Sequence, residues 1–153
     1  MNKYSGVMKK SCVFFGHRDG FYDNFWEKLS VIFTRLIQEE GVTQFYTGAR
    51  GNFDGICTDI LQDLRKKFPQ IKITLVYSYI PKEENLGIGD RYDDSVYLLE
   101  KRVLPKFAIW ETNKALIDKC DFVVLAVWKG SGGAYRAAQY AKGKGKTTLN
   151  IYE

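Results

Sequence analysis

The sequence predicts an α/β fold: a doubly wound, mainly parallel sheet of five strands with helices on both faces. Three observations carry this. Short apolar runs alternate along the chain with longer segments whose apolar residues recur at spacings of three and four. The run 122–127 has no polar alternation, as the centre of a parallel sheet requires. Glycines gather directly after the predicted strands, where a doubly wound sheet presents its ligand.

In chain order, "SCVFF" (11–15) is a short buried strand ending at Gly16. Phe21, Phe25, Trp26, Leu29, Ile32, Phe33, Leu36 and Ile37 then mark a helix with one broad apolar face, stopped by Gly41. "TQFYTG" (43–48) is a second strand. Ile56, Ile60, Leu61, Leu64 and Phe68 mark a second helix, closed by Pro69. "IKITLVYSYI" (71–80) is rich in β-branched and aromatic residues and reads as the clearest strand. Residues 81–94 are polar and contain Gly87 and Gly89, so they read as a long loop. Residues 95–104 fit a short helix or an extended piece. A helix is expected over 111–120, the buried strand over 121–128, a small-residue helix over 133–142 and a last strand over 147–152. Alternation at these lengths calls for crossover connections between parallel strands, ordered 3-2-1-4-5.

The 153 residues fit one domain spanning 1–153, 45% hydrophobic and 27% charged. No apolar stretch approaches the length of a membrane span, and the first dozen residues do not read as a signal peptide, so the cytoplasm is the expected location. Cys12, Cys57 and Cys120 are odd in number and lie in apolar patterns, which fits buried thiols rather than a disulfide framework or zinc site. The net charge of +5 suits a phosphate-bearing ligand, but the lysines are spread rather than massed. Asp90, Asp93 and Asp94 lack the ligand spacing of a calcium loop and read as a solvated loop or cap, so no metal site is expected.

In the expected sheet the loops after strands one, two and four meet at one crevice. They are "GHRDG" (16–20), "GARGNFDG" (48–55) and "KGSGG" (129–133), and they hold eight of the 14 glycines. Two of them open a helix whose positive end favours an anion. Arg18 and Arg50 add planar donors matched to phosphate or carboxylate oxygens, and His17, the only histidine, lies beside them. Arg18 also has a local alternative, pairing with Asp19 or Asp23. None of the loops matches the dinucleotide or P-loop fingerprint.

"FFGHR", "TGARGNFD" and "ETNKALIDKCDFVVLAVWKGSGGAYRAAQYAKGKGK" together resemble the SLOG superfamily, which takes in the Lonely Guy phosphoribohydrolases and the DprA-like proteins. They look closest to its small YpsA-like bacterial branch. The resemblance implies a Rossmann-like domain with a nucleotide or nucleotide derivative at the three loops. It implies ligand contacts from Gly16, His17 and Arg18, from Gly48, Arg50, Gly51 and Asp54, from Asn113, and from Gly130, Ser131, Gly132 and Gly133. Asn113 comes from the resemblance alone. The phosphoribohydrolases carry a glutamate after their glycine turn. Here "KGSGGAYRAAQYA" offers Gln139 but no carboxylate before Glu153, which puts hydrolysis in doubt unless Glu111 arrives from a neighbouring loop. The expected protein is a nucleotide-binding sensor or regulator with a phosphate-bearing small molecule as partner. A nucleotide-processing enzyme and a single-strand nucleic-acid binder are the alternatives. A homodimer is expected through the aromatic stretch 21–37.

Overall fold

The computed structural model describes residues 9–81 and 91–153. The expected loop positions Gly87 and Gly89, and Asp90 with them, lie outside the described residues. The elements are β1 (Lys10–Gly16), α1 (Trp26–Gln38), β2 (Val42–Thr47), α2 (Asn52–Lys67) and β3 (Lys72–Tyr77), then β4 (Asp94–Tyr97), α3 (Pro105–Lys119), β5 (Phe122–Ala126), α4 (Gly133–Gly143) and β6 (Thr147–Asn150). All neighbouring strands run parallel, in the order β4-β3-β2-β1-β5-β6.

The sheet therefore has six strands, not five. The addition is β4, which pairs with β3 from Thr74↔Asp94 to Tyr77↔Tyr97 and forms an edge. Its residues are half-buried or exposed, so it carries no alternating apolar signature of its own, and its pairing comes from β3. Asp93 anchors it: its backbone N–H donates to Ile73 O (2.8 Å), and its Oδ2 accepts from Ile73 N (2.8 Å) and pairs with Arg65 (2.5 Å). Asp93 is thus a strand clamp rather than a loop residue. Helix α3 starts six residues before the expected position, at Pro105, whose fixed φ and missing N–H suit the first helical turn.

Alternation on the central strands sorts the core into two layers. Cys12 and Phe14 of β1, with Phe122, Val124 and Ala126 of β5, face α1 and α2. Val13 and the intervening Val123 and Leu125 face α3 and α4. The first layer is aromatic: Phe33 of α1 meets Phe14 and Phe45 edge-on at ring distances of 5.9 and 5.7 Å. Each such buried ring contributes about 1.5–3 kcal/mol from lost water contact alone. The second layer is thin, because α4 buries only Ala134, Ala137, Ala138 and Ala141 and can lie close to the sheet.

A 3-10 turn, Asp23–Phe25, precedes α1. Tyr22 does not join an exposed aromatic face. It is buried, donating its hydroxyl to His17 O (2.5 Å) and packing on Phe53 at 5.0 Å. Phe21 and Trp26 remain exposed. All three cysteines are buried free thiols. Among the described residues, no helix is long and apolar enough to cross a membrane.

Candidate functional site

Strands β1 and β5 lie side by side as far as Gly16↔Ala126, where the chain leaves in two directions. After β1 it turns toward α1, and after β5 toward α4. A crevice of about 250 Å³ opens there, lined by Phe14, Phe15, Gly16 and Arg18, by Gly48, Arg50 and Asp54, by Ile109 and Asn113 of α3, and by Gly133 and Ala134 of α4. The three glycine-rich loops expected to converge do contribute to one concavity.

Both helices that open onto it start alike. Gly51 (φ 101°, ψ −174°) precedes α2 and Gly132 (φ 96°, ψ 176°) precedes α4. That backbone region is open essentially to glycine alone. Neither helix start has a side-chain cap; at α4 the first N–H groups are left for another acceptor, whereas at α2 the first goes to a neighbouring carbonyl. At Gly51 a Cβ would lie 2.7 Å from the Arg18 Cα, so loops one and two touch backbone to backbone. Asn52 reinforces the contact, donating its N–H to Arg18 O (3.1 Å) and its amide to Gly20 O (2.9 Å).

His17 is a knot between loops rather than a lining group. It is 6% exposed, stands edge-on to Trp128 at 4.4 Å, and accepts the Lys129 N–H at Nε2 (3.2 Å). An accepting Nε2 places the neutral ring's proton on Nδ1, which faces the Gly132 turn. Burial lowers the His17 pKa, the Lys129 charge adds to that, and Asp19 opposes it. Gly51 and Gly132 likewise shape the turns, while Gly130 and Ser131 stay exposed at the tip of the third loop. The crevice wall thus holds Gly16, Arg18, Gly48, Arg50, Asp54, Asn113 and Gly133, but not His17, Gly51, Gly130, Ser131 or Gly132.

Arg18 is exposed, and among the described residues it forms no ion pair with Asp19 or Asp23; Asp19 pairs with Lys129 instead (3.3 Å). Arg50 is half-buried, its guanidinium folded back over Gly48 and donating to the Ser78 hydroxyl. Burial lowers its pKa from the usual high value, and Asp54 opposes the shift. Asn113, 9% exposed, makes no side-chain hydrogen bond among the described residues and faces the crevice. Asp54 is 8% exposed and accepts the Arg50 N–H at Oδ2 (2.7 Å). Burial pushes its pKa up to about 7, against the pull of that bond and of the Arg50 and Arg18 charges.

Glu111 does not reach the crevice: it pairs with Lys114 (2.9 Å) and lines a separate surface hollow beside Tyr140. Gln139 is exposed. Asp54 is the one carboxylate among the lining residues. Sequence reasoning missed Ser78, which lies inside what reads as continuous strand, and Ile109, which requires α3 to begin at Pro105. A larger groove of about 670 Å³ flanks the other side of the α2 start. Among the described residues its lining presents Asp23, Asp59, Phe21 and Trp26 and no cationic side chain, and the Arg91 guanidinium beside it is already bonded to Asp59 and Gly55 O, so its chemistry does not suit an anion.

The architecture is that of a Rossmann-like α/β protein, and solved structures share it. DprA from Streptococcus pneumoniae superposes with a TM-score of 0.67 at 14% identity, over 93% of this chain and 50% of that one. DprA from Helicobacter pylori, whose structure concerns its single-stranded DNA binding mode, gives 0.62 at 15%, over 92% and 64%. The Moco carrier protein of Chlamydomonas rheinhardtii gives 0.53 at 16%, over 94% and 76%. The chain thus spans half of one DprA and under two thirds of the other, and at these identities the likeness is one of fold. No family model and no curated protein matches the sequence.

Proposed function

We propose that this domain is a nucleotide-binding module, a sensor or regulator that holds a nucleotide or nucleotide derivative by its phosphate in the β1–β5 crevice. The observation that carries the reading is convergence. Two guanidiniums, an amide with no side-chain hydrogen bond among the described residues and the uncapped start of α4 face one concavity at the sheet's switch point. Arg18 and Arg50 supply charge to phosphate oxygens, the α4 start supplies backbone donors, and Asn113 is free to read a sugar or base. The same reading assigns the chain to the SLOG superfamily and its YpsA-like branch, acting in the cytoplasm as a homodimer with Phe21 and Trp26 at its contact.

A second reading, single-stranded nucleic-acid binding, is favoured by the likeness to the DprA fold. Salt separates the two. A crevice of this size takes one or two phosphates, whereas a strand adds about 0.7 to the log–log salt slope per phosphate neutralised. Native mass spectrometry for a retained nucleotide, followed by calorimetry against mononucleotides and oligonucleotides, is the test. Binding of a mononucleotide with a shallow salt slope is expected. Oligonucleotide binding with a steep slope and no mononucleotide binding would replace the first reading with the second.

A further inference from the structure

Asp54 holds the third position of α2 and lines the crevice beside both arginines. Its carboxyl has one partner among the described residues, the Arg50 N–H on Oδ2, which leaves Oδ1 for whatever fills the crevice. The charged groups that act on it are Arg50 and Arg18 from the two adjoining loops, and its own charge adds to burial in raising the pKa of the Cys57 thiol on the same helix. Across the crevice, α3 presents the neutral Asn113, and α4 presents Gly133 and Ala134. An anion seated between the arginines therefore meets a carboxyl that repels it when ionised and can donate to it when protonated.

We infer that Asp54 is a ligand-selecting group of the crevice: it meets a bound anion as a neutral acid, donating its proton to a ligand oxygen, so that binding takes up a proton. The inference rests on the crevice being a nucleotide-phosphate site. The proton stays shared along the Asp54–ligand hydrogen bond, and no covalent bond changes. Burial already holds this acid half-protonated near neutrality, so the uptake falls within the working range of pH. The arrangement also discriminates among ligands, since a group with only donors to offer at that point gains nothing from the acid.

The experiment is calorimetry of the full chain with AMP between pH 5.5 and 8.5, run in parallel with Asp54→Asn. The substituted amide keeps an acceptor for the Arg50 N–H and a donor for the ligand but cannot ionise. AMP's own phosphate titration is common to both proteins and cancels in their ratio. The parent is expected to lose affinity about tenfold per pH unit above 7 relative to the variant. At pH 8.5 Asp54→Asn is expected to bind the more tightly. Carbon-13 spectra of the Asp54 carboxyl should show its midpoint rising when AMP is added. Parallel profiles for the two proteins, or a midpoint that falls with AMP, would overturn the inference while leaving the site reading intact. If AMP binds neither protein at any pH, the phosphate site fails and the inference fails with it.

Discussion

Helices α2 and α4 begin with the same turn and present opposite chemistry. Each follows a glycine at φ near 100° and each contributes a first-turn residue to the crevice wall. At α4 the opening residues are Gly133, Ala134 and Tyr135, with no acid in the first turn. At α2 the third residue is Asp54, a carboxyl already occupying the place where an anion would complement the helix dipole. The α4 start carries no cap and no acid, whereas the α2 start is filled from within by a group that burial makes hard to ionise. On the proposed reading, an identical backbone device serves as a receptor at one end of the crevice and a proton-bearing wall at the other.

The largest test of that contrast is stability against pH. Asp54's pKa rises from an ordinary 3.8 to about 7 on folding, so the folded state binds the extra proton. The stability it lends is full below pH 4, falls between 4 and 7, and is gone above 7. Three units correspond to roughly 4 kcal/mol. Asp54→Asn should therefore match the parent in urea unfolding at pH 4 and exceed it by up to that amount at pH 8. Equal stability at pH 8 would mean the carboxylate is well accommodated and the two helix starts are alike.

The glycines test whether the turns are equally constrained. A Cβ at Gly51 strikes the Arg18 backbone, whereas at Gly132 the nearest atom, His17 Nδ1, is 4.0 Å away. Gly132→Ala bears the conformational strain alone, on the order of 1–3 kcal/mol. Gly51→Ala adds displacement of loop one and should cost about 2 kcal/mol more. Chemical denaturation of both variants measures the gap. Equal losses would place the two turns under the same constraint.

Next in size are the arginines. Arg18→Ala or Arg50→Ala leaves a bound phosphate short of a charge-assisted bond, a loss of roughly 1.5–3 kcal/mol, or about tenfold to hundredfold in affinity. Melting temperatures should change little for Arg18, which is exposed, and more for Arg50, which bonds Ser78. A calorimetric panel with thermal melts checks both. Arginine variants that bind as the parent does would move the ligand to the α4 side alone.

How much of this could be read in the sequence follows from where each signal originates. The β5 strand was legible because all five residues are buried, so the apolar run is continuous. The β4 strand was not, because an edge strand of four half-exposed residues is defined by its partner. The glycine loops were legible because they follow strands directly. Which side chain turns inward was not: His17 and Arg18 are neighbours, and the turn buries one and exposes the other. Asp54 reads in the sequence as an ordinary helix-start acid. Its unusual proton affinity arises from the packing that leaves it 8% exposed, and the sequence pattern at its position carries no sign of that.

The smallest expected effect belongs to the third loop, where Lys129 joins the α4 side to loop one. Its Nζ reaches Asp19 at 3.3 Å in the open, and exposed pairs of this kind add little to stability. Its backbone N–H, which bonds His17 Nε2, is independent of the side chain. Lys129→Ala should therefore leave the melting temperature where it is. What should move is His17, because the Lys129 charge is the second cause of its lowered pKa, after burial. With the cation gone, Asp19 acts on the ring unopposed and the pKa rises, although burial keeps it below the ordinary 6.5. As the only histidine, His17 gives a single resolvable titration by NMR. The sign of stability is opposite to that of Asp54. A lowered histidine pKa lends stability above 6.5 that disappears as pH falls, so the two groups narrow the optimum from both sides. An unchanged His17 midpoint in Lys129→Ala would mean that burial alone holds the ring neutral, and that the third loop touches the first through the backbone only.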